Sequence, residues 1–164
     1  MKKIYIIRHA KSSWSFDLED TDRPLGVRGR RDAPFVGKFL SENEPTPDLM
    51  ISSPASRALY TALLIADEWG YPEDDIIINS GLYHSSAEKT LEILSNIRDN
   101  ISSVAIFGHN PGFTDLVNHF ATEYLDNLPT AGTYIVTLEV SSWKKIKDAK
   151  IAGRELITPK KLPR

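Results

Sequence analysis

Short apolar runs of strand length recur along this chain between stretches whose apolar residues fall at helical spacing, and this alternation constrains the fold more than any other feature. Such an order selects a sheet covered by helices on both faces over a helical bundle or a pair of packed sheets. The strand candidates are 3–7, 49–52, 76–78 and 104–107, each suited to burial on both faces. Leu59, Ala62, Leu63, Ala66 and Trp69 define one amphipathic helix, and Phe113, Leu116, Val117, Phe120 and Tyr124 define another. Ser53-Pro54 and Asn110-Pro111 each set a capping residue before a proline at the first helical position. Ser85 with Glu88 forms a capping box ahead of Ala87, Leu91, Leu94 and Ile97, and a further helix over 28–41 is interrupted by Pro34 and Gly37. Two later strands, 133–140 and 150–157, joined by a turn containing Trp143, make the sheet mixed rather than wholly parallel. The chain reads as a single domain over 1–158 with a frayed tail over 159–164.

Composition narrows the chemistry. The 164 residues include no cysteine, which excludes disulfides, thiolate catalysis and Cys-ligated zinc. The four histidines have no i, i+4 pair and no accompanying carboxylate motif, so no metal site and no cofactor is expected. A net charge of -2 gives no electrostatic footprint for nucleic acid or for an anionic membrane, and neither partner is expected. The apolar run after Lys2 and Lys3 is too short for a signal peptide or a membrane span, so the expected location is the cytoplasm.

Three strand ends carry the ionisable groups. The first closes in Arg8-His9-Ala10-Lys11-Ser12, the second in Ser52-Ser53-Pro54 with Arg57 a turn later, and a third in Gly108-His109-Asn110-Pro111-Gly112. Ligands of open α/β sheets collect outside the carboxyl ends of the strands, where these groups would meet if the strands are neighbours. Two guanidinium groups match phosphate oxygens and stay charged, and helix N-termini nearby would add N–H groups aimed at the same anion. A neutral His9 could attack phosphorus in line if its other ring nitrogen donates to a carbonyl or carboxylate, and His109 could donate to a phosphoryl oxygen. This scheme requires no metal.

The motif Arg8-His9-Ala10-Lys11-Ser12-Ser13-Trp14 resembles the R-H-G motif of the histidine phosphatase, or phosphoglycerate mutase-like, superfamily, and most of all its short SixA-type branch. The block from Asp22 to Asp32, the S-S-P-x-x-R-A block from Ser52 to Ala58, the segment Leu82-Tyr83-His84-Ser85, the Gly108–Gly112 motif and Thr158-Pro159-Lys160 follow in order. The resemblance implies a three-layer α/β/α sandwich with a mostly parallel, mixed central sheet. It also implies a phosphate pocket made by Arg8, His9, Arg57 and His109, with His9 phosphorylated transiently. The usual proton donors are missing: where mutase relatives carry a glutamate this chain has His84, and where acid phosphatases carry an aspartate after the second histidine it has Asn110.

An alkoxide leaves poorly without a proton, at a cost of roughly 10²- to 10⁴-fold in rate, whereas a phosphohistidine leaves as neutral imidazole once its ring is protonated. The missing carboxylate therefore favours a phosphorylated protein, carrying phosphohistidine, as substrate. His84 is the alternative donor, since an imidazolium is the side-chain acid suited to neutrality. Few residues separate Gly70 from Leu82, where relatives insert lids, which implies an open pocket and disfavours a mutase.

Plainer readings stand beside these. A small phosphate ester is the alternative substrate, and a phospho-ligand binding module without turnover is the alternative class. Ser15 either lines the pocket or serves a turn. Lys11, Arg28, Arg30 and Arg31 lie near Asp17, Glu19, Asp20 and Asp22, the mixed charge of a solvated surface, while Trp14 and Trp143 read as packing residues and His119 as surface.

Overall fold

The alternation of side chains along β1 (Lys2–Arg8) sets up the layers: Ile4 and Ile6 enter one apolar cluster, Tyr5 and Ile7 another on the opposite face, and all four are buried. The computed structural model describes residues 1–163. Its sheet runs β3-β2-β4-β1-β5-β6, with β2 at Leu49–Ser52, β3 at Ile77–Ile78, β4 at Ser103–Gly108, β5 at Thr133–Glu139 and β6 at Lys150–Ile157. The first four pair in parallel, β5 runs antiparallel to β1, and β6 runs antiparallel to β5.

Helices α1 (Val27–Asn43) and α2 (Ser56–Trp69) cover the face of Tyr5 and Ile7 through Val36, Leu40, Ala62, Ile65 and Trp69. Helices α3 (Ala87–Ser95) and α4 (Gly112–Phe120) cover the other through Leu91, Leu94, Phe113, Leu116 and Phe120. The result is the three-layer α/β/α sandwich with a mixed sheet. Burying each such aliphatic or aromatic side chain stabilises the fold by about 1.5–3 kcal/mol. Helix α1 runs through Pro34 and Gly37, and the glycine has a packing reason: a Cβ there would lie 3.1 Å from the Ile65 Cα of α2.

The ends of elements differ from the sequence reading in instructive ways. Helix α2 starts at Ser56, because the Ser53 hydroxyl accepts the Ala55 N–H in a turn ahead of the helix. Helix α4 starts at Gly112 after a cis Asn110-Pro111 bond, and the Asn110 side-chain carbonyl accepts from the Thr114 N–H and hydroxyl. The cap of α3 is Ser86, which accepts the Lys89 N–H, while the Ser85 hydroxyl bonds Thr90 instead. Tyr124 lies beyond α4 and is exposed, since the chain turns extended at Ala121.

Strand β3 is an edge strand with Ile77 and Ile78 exposed, so it is not covered on both faces. Where a frayed tail was expected from Pro159, Pro159–Lys161 form a 3-10 turn with Pro159 buried and Leu162 against the core, because apolar contacts there replace solvent. Arg164 lies outside the described residues. No helix among the described residues is long and apolar enough to cross a membrane.

Candidate active site

Strand β4 lies between β2 and β1, with Ser52 opposite Phe107 and Arg8 opposite Gly108, so three strand exits open at one level of the sheet. Each exit delivers a chemically active side chain: His9 after β1, Ser53 and then Arg57 after β2, His109 after β4. Backbone and side-chain bonds lock these exits together. The His9 N–H donates to Gly108 O at 3.1 Å, the Ala10 N–H donates to the Thr61 hydroxyl at 2.9 Å, and that hydroxyl donates to Arg57 O at 2.7 Å. Arg8, His9, Arg57 and His109 thereby share one pocket of about 270 Å³.

The orientation of His9 is set by its neighbour. Its Nδ1 lies 2.8 Å from Ala10 O, and a carbonyl only accepts, so Nδ1 carries the ring proton and Nε2 keeps the lone pair. Burial, opposed by that hydrogen bond and assisted by the charges of Arg8, Arg57 and Arg23, pushes the imidazole down from 6.5 to about 4, which leaves it neutral at pH 7. His109 stands 5.3 Å away, ring centre to ring centre, and burial and then His9 push it down to about 3. Its Nε2 lies 2.8 Å from the Ser53 hydroxyl, which accepts the Ala55 N–H and has a proton to give and a second lone pair to receive one. In the tautomer in which Ser53 donates, His109 Nδ1 is an N–H donor.

Three nitrogens of this floor, Arg8 Nε, Arg57 Nε and His109 Nδ1, are buried without a hydrogen-bond partner among the described residues. An unpaired buried polar atom costs about 1–3 kcal/mol, so three from three strand ends at one pocket need a reason, and a bound oxyanion supplies one. Burial and then the Arg57 charge lower the Arg8 pKa, yet a guanidinium remains charged at neutral pH.

Above the floor sits a rim of which the sequence pointed only to His84. Asp20, assigned to solvated surface by its mixed-charge surroundings, turns into the pocket instead. Arg57 donates from Nη1 to Asp20 O at 2.7 Å and from Nη2 to its carboxylate at 3.0 Å, Arg23 Nε donates at 3.1 Å, and the Tyr83 hydroxyl donates as well. Tyr83 first, and then the two arginines, hold the Asp20 carboxyl well below the usual carboxylate range. Only the Asp20–Arg23 spacing hinted at this in the sequence, and it says nothing of the distant Arg57.

His84 also reaches the rim. It has a left-handed backbone (φ 53°), packs its ring 4.0 Å from Tyr83 and 5.9 Å from His109, and sets Nε2 3.7 Å from the Asp20 carboxylate. Gly112 makes that placement possible, since a Cβ there would meet Ser85 O at 1.8 Å. Ser15 stays outside: it is exposed, does not line the pocket, and its N–H donates to the Ser13 hydroxyl in a local turn. Trp14 lines the pocket mouth, 73% exposed, with the Arg23 guanidinium 3.5 Å over its ring, so the packing reading holds for Trp143 and not for Trp14. His119 is exposed elsewhere, its ring bonded to Lys147 O. Among the described residues no group of three or more His, Asp or Glu is arranged to hold a metal ion.

Comparison with known proteins places this geometry. A sequence model of the histidine phosphatase superfamily (branch 1) matches residues 4–89, just over half of the chain. An uncharacterized chloroplastic protein of Arabidopsis thaliana is 29% identical over 153 residues, covering 88% of this chain and 70% of that protein. An uncharacterized Mycobacterium tuberculosis protein is 33% identical over 107 residues, 64% of this chain, and the match spans less than two thirds (63%) of that relative's length. Two solved structures share the fold. The protein histidine phosphatase SixA complexed with tungstate has a TM-score of 0.78 at 19% identity, covering 96% of this chain and 97% of that one. A mycobacterial glucosyl-3-phosphoglycerate phosphatase has a TM-score of 0.67 at 14% identity, covering 92% and 97%.

Proposed function

Since the chain belongs to branch 1 of the histidine phosphatase superfamily, we propose that it hydrolyses phosphoryl groups through a covalent phosphohistidine on His9, and that its substrate is a protein phosphohistidine. The observation that carries this reading is the Nδ1 contact to Ala10 O, which leaves a neutral His9 with its Nε2 lone pair free beside the three unpaired nitrogens. In the first step Nε2 attacks phosphorus, the bond to the leaving group breaks, and Arg8, Arg57 and His109 bear the charge on the phosphoryl oxygens. In the second step water attacks the same phosphorus, the P–N bond to His9 breaks, and inorganic phosphate leaves. The SixA structure in complex with tungstate, a tetrahedral oxyanion, supports a phosphate-shaped pocket in this fold.

Proton supply favours the substrate. Asp20 is the carboxylate at the pocket, and its depressed pKa keeps it ionised at neutrality, unable to protonate a leaving alkoxide. A phosphohistidine substrate brings a leaving group that accepts its proton on the ring before transfer, so it needs no carboxylic acid from the enzyme. A small phosphomonoester is the second reading, favoured by one observation: His84 stands where it could donate, beside the Asp20 carboxylate that would pair with its imidazolium. The deciding assay compares wild type and His9→Ala on a histidine-phosphorylated protein and on p-nitrophenyl phosphate without added metal. Faster turnover of the protein, lost in His9→Ala, is expected. Preference for the ester selects the second reading, and an inactive wild type selects a phospho-ligand binding module.

A further inference from the structure

A second cavity adjoins the candidate active site and takes no part in the phosphoryl transfer itself. It measures about 460 Å³ and shares a wall with the catalytic pocket, because Thr130 lines both. Arg28 and Arg31 at the start of α1 border it on one side, and Lys160 and Lys161 of the docked C-terminal turn on the other. A single carboxylate, Asp32, faces these four cations, 3.6 Å from Arg28 and 3.9 Å from Arg31. Lys160 and Lys161 are exposed and make no ion pair among the described residues. The local charge is therefore strongly positive on a chain whose net charge is -2.

Position gives this excess a meaning. The Arg28 guanidinium donates to the Thr130 hydroxyl at 3.2 Å, so the basic cavity is fixed to the wall of the phosphate pocket rather than to a separate surface. A chain that leaves the phosphoryl group on the Thr130 side of the pocket passes its flanking atoms along that wall. Pro129, Thr158 and Pro159 give the cavity a largely apolar floor on which a backbone can lie. Roughly two to four residues of extended chain bridge two adjoining cavities of this size.

We propose that this cavity is a docking subsite for an acidic segment flanking the phosphohistidine of a protein substrate, with Lys160 and Lys161 as the cations that select it. The proposal rests on the phosphohistidine phosphatase function and narrows its substrate class to acidic phosphoproteins. Exposed ion pairs are individually weak, so the subsite acts on specificity rather than on the chemical step.

The test uses two synthetic peptides with one chemically phosphorylated histidine each, one carrying glutamates at two to four residues from it and one carrying alanines there. Wild type and the Lys160→Glu/Lys161→Glu double variant are compared by the ratio of kcat/KM on the two peptides, which cancels any general change in the enzyme. A fluorescein-labelled, unphosphorylated glutamate peptide gives a binding readout independent of turnover. Wild type is expected to prefer the acidic peptide by about tenfold, and the double variant to lose that preference and to bind the labelled peptide more weakly. A wild-type ratio near one, or a ratio and binding that survive the double charge reversal, overturns the subsite and leaves the phosphatase reading standing. Failure to turn over either peptide while p-nitrophenyl phosphate is hydrolysed overturns the phosphohistidine reading instead. The labelled peptide then decides the subsite: weaker binding by the double variant supports it, and equal binding overturns it.

Discussion

The floor of the pocket and its rim are built by different physics. On the floor, His9, Arg57 and His109 are 7%, 3% and 3% exposed, and sheet register fixes them because each comes one or a few residues after a parallel strand. On the rim, Asp20, His84 and Trp14 are carried by turns between elements and remain 42%, 60% and 73% exposed. Burial pushes both floor histidines toward neutrality of charge, whereas hydrogen bonds from Tyr83 and two arginines hold the rim carboxylate ionised. Under the proposed mechanism the floor binds and attacks the phosphoryl group, and the rim faces its leaving group.

Substitutions that cross this division test it. Arg57 belongs to both regions, giving Nε to the floor and both Nη atoms to Asp20, so Arg57→Ala should lower kcat/KM on any substrate by roughly 10²- to 10³-fold. Arg57→Lys should not restore it, since an ammonium cannot serve both. A loss under tenfold would mean that the floor binds phosphate without Arg57.

Acid stability separates the regions next. His9 and His109 hold fewer protons folded than unfolded at any pH between their depressed values and 6.5, so the unfolded state gains protons as pH falls through 6.5. Stability is fully present above that value, declines on the way to about pH 4, and levels off below the folded values. Denaturant unfolding at pH 7.5 and 5 should show a loss of roughly 2 kcal/mol per ring, reduced in His9→Ala. A decline unchanged in that variant would show that His9 is not held neutral.

On the rim, His84→Ala should cost roughly 10- to 30-fold on phenyl phosphate and little on p-nitrophenyl phosphate, whose leaving group needs no proton. Equal losses on both would make His84 a positioning residue. The smallest change is expected from Asp20→Asn, which removes a negative charge competing for Arg57: inhibition by inorganic phosphate should tighten by about threefold. Weaker inhibition would mean instead that Asp20 serves to hold Arg57 in place.

The same division explains what the sequence could be made to tell. The apolar runs that became β1, β2 and β4 are continuous in the chain, and the ionisable residue after each is legible because a strand end has only one edge to open on. Asp20 was invisible because its partners, Arg57 and Tyr83, lie 37 and 63 residues away, and mixed local charge resembles solvated surface. Ser15 failed for the opposite reason, since a neighbouring hydroxyl satisfies its backbone in a turn and keeps it from the pocket. The helix starts near Ser53 and Asn110 were displaced because these side chains bond turn N–H groups and the pocket residue His109 or Thr114 instead of acting as simple caps. Pro159 docks through apolar contacts that local composition does not encode.

The central claim concerns one atom, His9 Nε2, and it can be read directly. Wild-type enzyme mixed with p-nitrophenyl phosphate and quenched in alkali within a turnover would be mapped by mass spectrometry and its phosphohistidine isomer identified by phosphorus NMR. The account predicts phosphate on His9 at Nε2, because Nδ1 is engaged with Ala10 O. Phosphate at Nδ1, on His109, or on no histidine of an active enzyme would contradict it.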